Sequence, residues 1–403
     1  MRNFILGLSG LVFLMGVIAS ATGNPLVAFV IGGMALVSGS FKKESGALFN
    51  NIDPDVSALS AYAGKYSKKI YTKFDNALDF FKDLTVFYNI KSAINLARLA
   101  VNGKPKPFTG IFNAQSGDIV YSDQRLTVEK WQRDFQIMPD NYRNTYLEEL
   151  RGAGEGANNM NFPTHVYDVV MNKLAGDIND ILPWHGVGQA AFTAFDPAAA
   201  YTVGSRISYT QNGVVRYYEV VAATTAGETP VSAEAKFEDG SVKAITEGLG
   251  TKLRKLRTAG DISRVASTGA ITQTDAYQQL RSVWAKAPEW VRRQGGLMYM
   301  SFTVFEYLLA SFEDISKYTE KDGTLTHLPL TNKKCKLMPV SWITDSDMVV
   351  VTPKENLLAA TDLESDYRKI RTIPQMYHLD FGMTGVLGFG VQDPEVIATN
   401  DRN

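Results

Sequence analysis

Across 403 residues there is one cysteine, Cys335, so no disulfide can close within the chain and neither a zinc cluster nor a CxxC redox pair can be built. That usage fits a reducing compartment. Excess charge of either sign is also missing: 41 Lys and Arg face 42 Asp and Glu, a net charge of -1. Binding of nucleic acid through overall basic character is thereby excluded, and any such contact must be local. The four histidines, His165, His185, His327 and His378, lie far apart, and none has a partner at the helical spacing of a metal motif such as HExxH. No GxSxG nucleophile elbow occurs. The string "GAGEG" at 152–156 follows a helical pattern and lacks the Lys-Ser/Thr of a phosphate loop, so it reads as a linker. Glu148 and Glu149 are adjacent on a predicted helix and point to different faces, so they read as a solvated helix end rather than a catalytic carboxylate pair. The sequence argues against an enzyme, and no cofactor or metal is expected.

What is present begins with an apolar leader, residues 1–45. Residues 4–21 carry no charge and hold ten Leu, Ile, Phe or Val, and a second uncharged run spans 26–41 after "GNP". Arg2 and the Lys42, Lys43 pair flank the block as they would a membrane hairpin with both ends cytoplasmic. Ala19-Ser20-Ala21 also has the small-residue form of a signal-peptidase site. Five glycines, Gly7, Gly10, Gly16, Gly32 and Gly33, allow close helix packing in lipid or against protein. Insertion, secretion and burial in a protein interface all stay open.

Beyond the leader the pattern turns globular, with 45% apolar and 21% charged residues. Phe74, Leu78, Phe81 and Leu84 recur at helical spacing, so residues 46–101 are predicted as a helical arm with that face in the core. "NGKPKPFTG" breaks it, and Leu126 and Val128 alternate with polar residues in a projecting hairpin. Val166, Val169, Val170, Leu174 and Ile178 predict one long amphipathic helix, closing a segment that spans 102–190. Residues 191–240 change character: alternation and the turn Gln211-Asn212-Gly213 predict a small all-β insert. In 241–403, a helix ended by Pro288, the strand "LMYMSF", a helix over "TVFEYLLASFEDIS" and "DMVVVTPKENLL", a strand running into a loop, predict an α+β domain. "TKLRKLR" gathers Lys252, Arg254, Lys255 and Arg257, which suit a local phosphate contact or salt bridges with a neighbouring subunit.

This order resembles the major capsid proteins of tailed double-stranded DNA bacteriophages, the Hong Kong 97-type fold. "DAYQQLRSVWAKAPEWVRRQGGLMYMSFTVFEYLLAS" is similar to their helix, proline, strand and second helix. "SDMVVVTPKENLLAATDLESDYRKIR" is similar to their next strand and loop, "GVLGFGVQDPEVIA" to their closing strand, "RLTVEKWQRDF" to their extended loop, and "VYDVVMNKLAGDINDILPWHG" to their spine helix. The likeness covers roughly residues 50–190 and 240–400. The insert resembles small chitin-binding modules: "YTVGSRISYTQNGVVRYYEVVAATTAGETPVS" follows their tyrosine and glycine progression, but their tryptophans are missing. Tyr201, Tyr209, Tyr217, Tyr218 and Phe237 are therefore candidates for stacking on sugar rings, or simply the core of a small domain.

The resemblance implies an α+β shell subunit: N-terminal arm, extended loop, spine helix and axial domain, with the insert as an outer decoration. Its expected partner is itself, in hexamers and pentamers, together with portal, scaffolding and decoration proteins. Packaged DNA would be held by enclosure with weak local contact. The expected location is the virion capsid after assembly in the host cytoplasm, with membrane association through residues 4–41 still possible. The same fold also builds encapsulin compartments. From another class, a membrane-anchored glycan-binding surface protein would account for leader and insert but not for the C-terminal region.

Overall fold

A computed structural model describes residues 77–101, 119–138, 162–266, 269–312, 325–362, 370–375 and 378–402, with Ile70, Phe74, Pro107 and Phe108. The leader, "GAGEG", Glu148 and Glu149 lie outside the described residues. The chain divides into two compact units: residues 1–59, 137–162 and 374–379 form one, and 60–136, 163–373 and 380–403 the other. In the first, the amide of Gln375 donates to the His378 carbonyl at 2.8 Å. The second carries the α+β body.

That body has two five-stranded sheets. In the first, β1 (Thr85–Phe87) runs parallel to β13 (Leu357–Thr361). The 13-residue β15 (Leu379–Val391) pairs antiparallel with β13 and also with β14 (Arg371–Pro374) and β4 (Glu129–Ile137). Leu126, Val128, Leu358, Ala360 and Val386 form its core, with Phe87, Ile90, Ile94 and Leu96 packed alongside. Gly388 makes this packing possible, because a Cβ there would overlap the carbonyl oxygen of Thr127.

From this core runs a two-stranded ribbon. β2 (Ala93–Val101) pairs with β3 (Ile119–Thr127) from Ala93↔Thr127 to Val101↔Ile119. At about 3.3 Å per residue each strand is about 30 Å long. Residues 93–101, expected at the end of a helical arm, are thus its first strand, because their pairing partner lies beyond the proline-rich break. The helical face before it also shifts. Phe80, in the turn α1 (Phe80–Asp83), is fully buried with Phe74, Leu78 and Leu84, whereas Phe81 is half-buried.

The long helix α2 (Phe162–His185) has 24 residues, about 36 Å at 1.5 Å per residue. Its buried stripe is Tyr167, Met171, Ala175, Ile178 and Leu182, at steps of three and four, with Val166 buried beside its start. Val169 was expected on that face and is instead 54% exposed, because it lies two residues from both Tyr167 and Met171 and so on the opposite side of the helix. Pro183 is tolerated in the last turn, where the chain is about to leave the helix.

The insert follows as a four-stranded sheet of β5 (Thr193–Ala194), β6 (Arg206–Gln211), β7 (Val214–Val220) and β8 (Phe237–Asp239). Asn212 and Gly213 both have positive φ, 51° and 78°, as a two-residue hairpin turn matching the strand twist requires. Its entry and exit run side by side: the amides of Val187 and Gly188 donate to the Lys243 carbonyl at 2.8 and 3.1 Å.

The second sheet orders β11 (Cys335–Val340), β10 (Gly296–Ser301), β12 (Val350–Thr352), β16 (Ala398–Asn400) and β9 (Ser263–Val265). Helices α4 (Ala276–Lys286), α5 (Glu289–Gln294) and α6 (Phe302–Ala310) cover one face through Leu280, Val283, Val291, Val304 and Leu308. Ser301 ends β10 and caps α6, its Oγ accepting the Val304 amide at 3.3 Å. Helix α3 (Leu249–Ala259) stops at Gly260, φ 87°.

Two glycines make opposite predictions. Gly176 lies mid-helix with open space around its Cα, so Gly176→Ala should raise stability by about 0.5–1 kcal/mol. Gly388→Ala should lower it by about 1–3 kcal/mol through overpacking. Thermal or denaturant unfolding of the two variants checks both.

Candidate assembly surfaces

The ribbon is tied at its root and open along its length. At the root, the Val128 amide donates to the Ser92 carbonyl at 3.0 Å and the Ile90 amide to the Thr361 carbonyl at 3.2 Å. Farther out, among the described residues, β2 and β3 pair only with each other. Half of their backbone N–H and C=O groups therefore point to an outer edge with no strand beside it, a template for another chain.

Three of the four cations on α3 donate to carbonyls within the subunit. Lys252 Nζ donates to the Phe389 carbonyl at 2.5 Å, and burial pushes its ammonium pKa down. Arg254 donates to the Trp184 carbonyl at 3.1 Å and lies 6.0 Å from the centre of the Trp184 ring. Arg257 donates to the carbonyls of Asn400 and Arg402 at 3.1 and 2.5 Å. Lys255 pairs with Glu247 at 2.5 Å and keeps most of its side chain in solvent. The helix thus fastens three stretches of chain: the spine's C-terminus, β15 and the C-terminal strand.

The aromatic candidates of the insert pack on one another. Phe237 is buried beside Ile207 and Val220, with Tyr201, Tyr218 and Phe195 against them. Phe195 stacks on Tyr201 at 5.7 Å and takes Tyr209 edge-on at 5.3 Å, and Phe192 meets Tyr217 edge-on at 5.2 Å. The Tyr201 hydroxyl accepts the Asp196 amide at 2.7 Å. Tyr201, Tyr209, Tyr217 and Tyr218 are all half-buried.

Sequence reasoning missed a set of buried asparagines. Asn179 on α2 accepts the Phe80 amide at 3.4 Å and donates to Ser341 Oγ at 3.1 Å. Asn356 donates to Thr352 Oγ1 and to the Asp393 carbonyl, both at 2.9 Å, and accepts the Asp393 amide at 2.6 Å. Asn400 accepts the Val349 amide at 3.0 Å and donates to the Asp347 carbonyl at 2.8 Å. Each amide bridges segments remote in sequence, so only the "TPKEN" turn hinted at one of them. Such fully satisfied amides hold the body in one arrangement.

The histidines are not gathered. His327 contacts Thr326 Oγ1 at 2.7 Å, and His185 Nε2 lies 3.0 Å from the Thr344 carbonyl, to which its Nε2–H tautomer donates. His165 lies in the first turn of the spine helix, and the His378 carbonyl accepts the Gln375 amide. Among the described residues no group of His, Cys, Asp and Glu could hold a metal ion, and no helix is long and apolar enough to cross a membrane.

No family model matches this chain, and no curated protein matches it. Among solved structures it is similar to a chain of the satellite phage P4 procapsid including the size determination (Sid) protein. That match has 10% identity over 90% of this chain and 96% of that one, with a TM-score of 0.48. It is also similar to the capsid of Myoviridae phage XM1, at 12% identity over 80% of this chain and 92% of that one, TM-score 0.41. A virus-like particle from Pyrococcus furiosus matches at 7% identity over 83% and 98%, TM-score 0.40.

Burial holds the His185 imidazole below its ordinary value, with Arg254 and Lys243 adding repulsion. A base with a lowered folded-state pKa stabilises the fold above its unfolded value, about 6.5, and that contribution is lost as pH falls below it. Denaturant unfolding at pH 7 and pH 5 should therefore show an acid-side loss that His185→Gln reduces.

Proposed function

We propose that this chain is the repeating subunit of a closed icosahedral shell, a major capsid protein enclosing phage DNA, which acts by tiling and carries out no turnover. The observation that carries this reading is the ribbon: two nine-residue strands set on a rigid body, with outer backbone edges that pair with no other strand among the described residues. A monomeric protein gains nothing from such edges, whereas a tile uses them to reach over its neighbour. The order of ribbon, spine helix, second sheet and closing strands is the one expected of the Hong Kong 97-type subunit. The amide ties and the α3 clamp give the rigidity that repeated contacts need, since each interface buries on the order of 1,200–2,000 Å².

In this reading the insert is a decoration on the subunit. Its tyrosines hold a domain too small for a larger core, and sugar stacking is not required of them.

Electron microscopy and sedimentation of the full-length chain test the proposal, the expected result being closed particles of uniform size. A species that sediments as a single 44.4 kDa chain at every concentration sinks it. Replacing residues 97–123 by an Asn-Gly turn between the paired Leu96 and Gln124 should leave cooperative unfolding intact and abolish particles.

A further inference from the structure

The second sheet carries two exposed surfaces of complementary chemistry at opposite ends of β10. At its N-terminal end, Trp290 is 55% and Leu330 76% exposed. Leu330 is held there by a turn in which Leu330, Asn332 and Lys333 all have positive φ, a costly conformation for a leucine. Around them stand Arg292, Arg293 and Lys334, all exposed, with Glu289 at the start of the helix. Turn and helix are neighbours: the Gly296 amide donates to the Lys334 carbonyl at 3.0 Å, and Val291 packs against Gly296. Among the described residues no carboxylate pairs with Arg292, Arg293 or Lys334.

At the other end of β10, α6 begins with Phe302, 53% exposed, and one turn on it presents the exposed Glu306. Residues four apart share a helix face, so the phenyl ring and the carboxylate lie side by side there. Six residues of strand, about 20 Å, separate this surface from the first. The two do not meet within one subunit.

We propose that the Trp290–Leu330 corner of one subunit seats on the Phe302–Glu306 face of the next, a head-to-tail contact that repeats until it closes a ring. The inference rests on the shell reading and names the surfaces that reading needs. Different patches on the two partners make a heterologous contact, which closes when the rotation per copy divides a full turn. Trp and Arg are the residues that most often anchor interfaces, and an apolar anchor rimmed by opposite charges fixes the register.

Charge exchange in the full-length chain tests it. Glu306→Arg, and separately the pair Arg292→Glu and Arg293→Glu, should each lower the assembled fraction at least about tenfold, since like charges then face each other. The triple variant should restore particles, because the pairing is regained with reversed sign. All three residues are exposed, so unchanged thermal unfolding of the single chains verifies folding. The contact is overturned if the variants assemble as the unmodified chain does, or if the triple variant stays as defective as its parents. A gain or loss of duplex DNA binding with assembly unchanged overturns it too, assigning the corner to phosphate. An unmodified chain that never assembles sinks the shell reading itself, a result distinct from particles that ignore the substitutions.

Discussion

The C-terminal turn of the spine helix is the junction on which the rest of the body depends. Three carbonyls there, of Leu182, Pro183 and Trp184, belong to the last turn, where helical partners run out, and their residues are buried, so they need partners or very close neighbours. The chain provides both. The Gly186 amide donates to the Leu182 carbonyl, the Arg254 guanidinium to that of Trp184, and Gly248 and Gly250 let the start of α3 lie against the turn where any Cβ would collide. Trp184 and Trp342 meet at 6.1 Å beside it, and Tyr299 reaches the same tryptophan from β10. Spine, insert and second sheet are thereby indexed to one point.

From that point the ties run outward along α3. Lys252 reaches β15 of the first sheet and Arg257 reaches the last strand of the second, so one amphipathic helix couples both sheets through charged side chains aimed at backbone carbonyls. These bonds are directional and partly buried, which makes them stronger than surface pairs. Three cations of the cluster, Lys252, Arg254 and Arg257, brace the subunit internally, while Lys255 keeps most of its side chain in solvent.

Local signals carried much of the architecture. The Ser301 cap, the Pro288 stop, the Asn212-Gly213 turn and the apolar run of β10 are each decided within a few residues, and each element stands where its pattern puts it. The strand at 93–101 was illegible because Ile94 and Leu96 gain their environment only from partners some thirty residues away, across a break. Phe80 and Phe81 could not be ranked, since helical spacing alone does not reveal the ring of Phe389 waiting at 5.3 Å. The asparagine ties and the α3 bonds depend on tertiary neighbours altogether. The exposed apolar corner was the least visible, as exposure of Trp290 and Leu330 is a property of the folded chain.

The paired entry and exit at Val187 and Lys243 have an evolutionary corollary. Because the two ends of the insert are already held at bonding distance, closing any domain across them costs almost no chain entropy. Such a socket accepts inserted domains of varied length and chemistry while the body beneath keeps its fold. Lineages could therefore exchange the inserted domain by simple genetic grafting, and engineers could do the same with an epitope or an enzyme.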